Sequence, residues 1–104
     1  TLSYHSKGEE IYWEFYQDEA RRARDYKIAK AVSLSTGYLL KSAVGSAGGY
    51  KDWCVEKLKI PALTIEVGSD RLSHPIKKRH AKEIFKKNAG TLEAVINALS
   101  EVEV

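Results

Sequence analysis

The chain lacks the residues on which several protein classes depend. It has a single cysteine, Cys54, so no internal disulfide can form and no multi-cysteine zinc knuckle is available. It has two prolines and no low-complexity stretch, which excludes collagen-like and Pro-rich linker structure. Its apolar runs are a few residues long, far short of the roughly 20 that span a bilayer, and no basic-then-apolar leader pattern opens it. Methionine is absent everywhere, position 1 included, so the expectation is that something was removed before Thr1, either Met alone or a larger N-terminal portion. An excess of one charge is also missing. Lys plus Arg is 17 against 14 Asp plus Glu, a net charge of +3. Basic residues are spread along the chain rather than concentrated on an arm, so nucleic acid is not the expected partner. The compartment is left open, because one thiol carries no redox information.

What remains is an ordinary globular composition, 43% hydrophobic and 30% charged over 104 residues. That is enough for one domain, 1–104, with one real core. Leu2–His5 alternates and reads as a strand, with a turn over Ser6–Gly8. Ile11–Tyr16, rich in aromatic and branched residues, reads as a second strand covered on both faces. Asp18 opens a helix running to about Leu34, with Ala20, Ala23, Ile28, Ala31 and Leu34 on its apolar stripe, and Gly37 ends it. Tyr38–Leu40 is a short apolar stretch. Gly45–Gly49 reads as the most flexible loop. Tyr50–Leu58 is expected to be a short helix with Trp53 inward, broken by Pro61. Ala62–Val67 is the clearest strand. Pro75 favours a helix start, giving Ile76–Asn88. After Gly90, Thr91 is expected to cap a last helix with Leu92, Val95, Ile96 and Leu99 on one stripe. Alternating strands and helices indicate an α/β fold. Two or three strands are too few for its helices, so an exposed sheet edge is expected.

Two carboxylate patterns suggest chemistry. His80-Ala-Lys-Glu83 places His and Glu one helical turn apart, a spacing that can share a metal. Its helix is basic over most of its length, which favours a solvated face. Glu66 lies between Ile65 and Val67 on an apolar strand that ends at Gly68. An unpaired buried charge is costly, so Glu66 is either a general base or a strand-end residue reaching water; both readings stay open from the residues alone. The Gly45–Gly49 loop is not a nucleotide-binding P-loop, because it lacks the Lys-Ser/Thr that follows the glycines.

Four segments occur in a recognisable order: Tyr4-His5-Ser6, Ile11-Tyr12-Trp13, Gly48-Gly49-Tyr50-Lys51-Asp52-Trp53, and Leu63-Thr64-Ile65-Glu66-Val67. Together they resemble the carboxypeptidase A-like zinc metallopeptidases. The 13-residue step from Trp53 to Glu66 agrees with that family. Thr64-Ile-Glu-Val-Gly68, followed by Ser73-His-Pro-Ile76, is most similar to a bacterial branch that includes γ-D-glutamyl-diamino acid peptidases cutting peptidoglycan stem peptides.

The resemblance implies the C-terminal part of a three-layer α/β/α mixed-sheet fold. It implies His5 as the third zinc ligand and Glu66 as general base. Lys51 would set side-chain preference in the specificity pocket, with Asp52 and Thr64 lining it and Ser6, beside the zinc ligand, also binding substrate. The family's capping tyrosine falls near Val44, leaving Tyr50 or Tyr38 as substitutes. The family's first two zinc ligands, an H-x-x-E, and its Arg and Asn-Arg substrate groups lie upstream of the His-Ser pair and have no counterpart in this chain. The expectation is therefore an enzyme that uses Zn2+ when complete, with this fragment inactive alone and not retaining the metal. Its expected partners are a peptide or peptidoglycan-derived substrate, the missing N-terminal half of the catalytic domain, and a second copy through self-association. No membrane span is expected. A non-catalytic module gripping an acidic peptide through Lys51 and the Gly45–Gly49 loop is the alternative. A nucleic-acid adaptor using Arg21, Arg22, Arg24 and the Lys77–Lys87 helix is the weakest reading.

Overall fold

The computed structural model describes residues 1–42 and 48–102. The chain forms an α/β fold around a four-stranded mixed sheet. Its strands are β1 (Leu2–Ser6), β2 (Glu10–Tyr12), β3 (Leu39–Lys41) and β4 (Leu63–Val67), in the spatial order β1-β4-β2-β3. β1 runs parallel to β4 and β2 parallel to β3, while β2 and β4 are antiparallel. The helices are α1 (Glu19–Thr36), α2 (Tyr50–Trp53), α3 (Ala81–Asn88) and α4 (Thr91–Leu99).

The sheet has two unlike faces. Leu63, Ile65 and Ile11 point to one side and join Ile28, Ala29 and Val32 of α1 and Ala98 of α4 in the main core. Alternation along a strand sends the intervening residues to the other side. There Ser3, Thr64, Glu66, Glu10 and Tyr12 are only partly buried, and His5, Leu39 and Lys41 are exposed. A smaller cluster of Phe15, Cys54, Val55 and Ala62, with Ile60 packed against it, holds the α2 region.

Several elements differ from the sequence reading. The segment Ile11–Tyr16 is strand only through Tyr12, and Tyr16 takes a positive φ of 46°. Burial still alternates, with Ile11, Trp13 and Phe15 inside, so the segment is covered on one face rather than two. α1 buries Asp25, Ile28, Ala29, Val32 and Thr36. The stripe is thus rotated from the expected one, and Leu34 is exposed. Asp25 is tolerated inside because it accepts from Arg24 Nε at 2.8 Å and Gln17 Nε2 at 3.1 Å. The helix starts and stops as expected. Asp18 accepts from the Arg21 amide at 2.8 Å, and Gly37 closes the end with φ 78°.

Tyr38–Leu40 supplies part of a fourth strand, β3, because Glu10–Tyr12 offers a parallel partner for Leu39–Lys41. α2 continues as a π-helical turn, Cys54–Leu58, so the helical segment runs to Leu58. Trp53 is exposed rather than inward and stacks on Tyr50, while Cys54 and Val55 do the packing. Regular structure after Pro75 begins only at Lys78, as a 3-10 turn leading into α3. Gly90, not Thr91, is the N-cap of α4, and the buried Thr91 Oγ1 has no hydrogen-bond partner among the described residues. The small residue fits because a Cβ there would stand 2.8 Å from Ser35 Oγ, where α1 and α4 meet. On α4, Leu92, Ile96 and Leu99 face outward while Thr91 and Ala98 pack inward. Of the glycine-rich loop, 45–47 lie outside the described residues.

Candidate functional site

The polar face is organised by register. His5 pairs with Glu66 across β1 and β4, Glu66 pairs with Glu10 across β4 and β2, and Glu10 pairs with Leu39 across β2 and β3. The next level holds Ser3, Thr64, Tyr12 and Lys41. Directly paired residues share a face, and neighbouring strands lie about 4.8 Å apart. Residues 61 positions apart, His5 and Glu66, therefore stand side by side on the uncovered face.

Glu66 is half-buried, and its Oε2 is shielded from solvent without a hydrogen-bond partner among the described residues. A shielded carboxylate oxygen without a partner is unusual, because buried polar atoms are nearly always hydrogen-bonded. Beside it, Tyr12 donates its hydroxyl to Glu10 Oε2 at 2.8 Å. That hydrogen bond to Glu10 holds the phenol above the ordinary tyrosine range, aided by burial and by the charges of Glu10, Glu66 and Asp70. The turn after β4 is fixed by Gly68, which takes φ 86° and accepts from the Gly8 amide at 2.8 Å.

Lys51 and Asp52 lie apart from this grid in chain position and in environment. Both are buried, their side chains form an ion pair, and Lys51 Nζ also donates to the Glu14 carbonyl at 2.9 Å. The ammonium sits 5.6 Å from the Phe15 ring centre. Tyr50 is exposed. Its hydroxyl is raised above the usual tyrosine range by the hydrogen bond to Cys54, with that thiol's charge and burial adding to it. Ser6 ends β1, exposed, on the opposite side of the strand from His5. Tyr38 is buried and accepts from Asn88 Nδ2 at 3.0 Å; burial raises its hydroxyl above the ordinary range, against that hydrogen bond. Val44 lies outside the described residues.

Among the described residues, no group of three His, Cys, Asp or Glu side chains could hold a metal ion. A zinc ion needs three or four protein ligands. His5, Glu66 and Glu10 lie on three adjacent strands and do not make such a group. His80 and Glu83 do not form one either. Glu83 instead lies 3.8 Å from Lys87, whose ammonium pairs with Glu9 at 2.7 Å. Nothing in the local sequence marks Glu10 or Lys41, and Tyr12 stands out only within Ile11-Tyr12-Trp13; the signal that finds all three is the β2–β3 pairing.

No helix among the described residues is long and apolar enough to cross a membrane. No family model matches the chain. The chain is similar, at 32% identity over 76 residues, to the γ-D-glutamyl-L-diamino acid endopeptidase 1 of Lysinibacillus sphaericus. The matched residues are 73% of this chain and 19% of that relative, so the chain spans about a fifth of the length of the peptidase it resembles.

Proposed function

We propose that this chain is the C-terminal part of a zinc-dependent, carboxypeptidase A-like peptidase that hydrolyses peptide bonds in peptidoglycan stem peptides of the γ-D-glutamyl-diamino acid type. The observation that carries the reading is the pairing of His5 with Glu66 on the open face of the sheet. The similarity to an enzyme named for the γ-D-glutamyl-diamino acid bond supports the substrate class. Glu66 supplies the base. Its carboxylate takes a proton from the attacking water and returns it to the leaving amine. His5 is the residue of this chain that would hold the metal, which would polarise the attacked carbonyl and the water.

The test is Glu66→Gln in a longer, zinc-loaded protein that carries this chain. Turnover on a γ-D-glutamyl-diamino acid peptide should fall by about 100-fold or more while bound zinc is unchanged. Unchanged turnover would remove Glu66 from the chemistry. The incomplete ligand set favours one second reading, a module that binds such peptides without metal. Binding by the 104-residue chain in the presence of a chelator, with no turnover gained by the longer zinc-loaded protein, would favour it.

A further inference from the structure

The polar face carries a charge pair that the reading above does not use. Glu10 stands beside Glu66 on the side away from His5, and Lys41 lies diagonally across on β3, level with Tyr12. Diagonal neighbours on a sheet face are about 7–8 Å apart at the backbone, within reach of long side chains. Glu10 is fixed in place. Tyr12 donates to one carboxylate oxygen at 2.8 Å. Lys41 is exposed on the open face, whereas the ammonium of Lys51 is committed to Asp52 and the Glu14 carbonyl. An ordered anion and an accessible cation thus sit together next to the candidate base.

We propose that Glu10 and Lys41 form a subsite for the zwitterionic end of a diamino dicarboxylic acid such as diaminopimelate, with Glu10 taking the ammonium and Lys41 the carboxylate. Such an end places both charges on one carbon, so opposite charges at diagonal positions match it. A residue joined into a peptide at both its amino and carboxyl groups has neither. Thr64 and Tyr12 lie on the same face, level with Lys41 and one step along the strands from Glu10 and the candidate base. The inference rests on the peptidase reading for its substrate class and names the residues that select it.

The experiment is an amide NMR titration of the 104-residue chain, without metal, with diaminopimelate. Pimelate, which lacks the amines, and cadaverine, which lacks the carboxylates, serve as comparison probes. Diaminopimelate should move the resonances of Glu10, Tyr12 and Lys41, and the comparison probes should bind about tenfold more weakly. Glu10→Gln and Lys41→Gln should each weaken diaminopimelate by about tenfold, with spectra that otherwise keep the folded dispersion. The subsite is overturned if diaminopimelate produces no titration at these residues, if pimelate or cadaverine binds as well, or if neither substitution changes the affinity. Failure of the peptidase reading is seen separately, as unchanged turnover of the Glu66→Gln enzyme, and leaves the titration intact.

Discussion

Lys51 and Asp52 are consecutive in the chain and yet pair with each other below the surface, with 7% and 6% of their areas exposed. Neighbouring residues on a helix point about 100° apart, so the pair closes only because Lys51 curls over Phe15 toward the Glu14 carbonyl. Removing one partner leaves a buried charge uncompensated. Lys51→Met should cost about 3 kcal/mol in chemical denaturation, and Lys51→Met with Asp52→Leu should recover most of it. A double variant no more stable than the single one would show that the loss lies in packing instead.

Gly68 sets the exit from β4 two residues after Glu66. It holds φ 86°, and a Cβ on it would come within 2.6 Å of Ile76 Cδ1. Gly68→Ala should destabilise by about 1–2 kcal/mol, from backbone strain together with displacement of Ile76. Adding Ile76→Val removes the opposing methyl and should restore the steric share alone. Urea midpoints of the two variants measure this.

Tyr12 should titrate above the ordinary tyrosine value of 10.0, chiefly because it donates to Glu10. Since the folded value is raised, the associated stability is complete below pH 10 and is lost as pH rises through the folded value. NMR of ring-labelled tyrosine should show the Tyr12 midpoint falling in Glu10→Gln. The fall should be incomplete, because burial and the charges of Glu66 and Asp70 remain.

Glu14 behaves in the opposite sense. Burial pushes its carboxyl up, but hydrogen bonds from Arg22 and Ser42, with the charges of Arg22 and Lys51, outweigh that and hold it below the usual value of 4.5. The stability so gained is present above pH 4.5 and disappears as pH falls through the lower folded value. Glu14→Gln should therefore lower the melting temperature at pH 7 and change it little at pH 2. Equal losses at both values would rule out a contribution from the charge.

Much of the fold could be read from local chemistry. Asp18 and Gly37 bound α1 because capping uses only neighbouring atoms. Ala62–Val67 contains β4 because its branched residues are continuous. The face of α1 could not be read the same way. Asp25 lies at its centre, and a buried Asp becomes tolerable only once Arg24 and the distant Gln17 are placed beside it. β3 escaped for the same reason: three residues gain strand character from a partner 29 positions earlier. Trp53 misled because aromatic size predicts burial, whereas here Cys54 and Val55 fill the space and Trp53 lies on Tyr50. Of the candidate site, His5 and Glu66 were visible as motif residues. Their adjacency, and the part of Glu10 and Lys41, exist only in the register.

That register is guarded from behind. Ile65 and Glu66 are successive residues, one in the core and one on the open face. A slip of β4 by a single residue would exchange them. Leu63 and Ile65 would leave the core together, at about 1.5–3 kcal/mol for each side chain. The accuracy with which Glu66 meets His5 is therefore enforced by aliphatic groups that touch neither of them, and proofreading of the polar face is done by oil on its reverse.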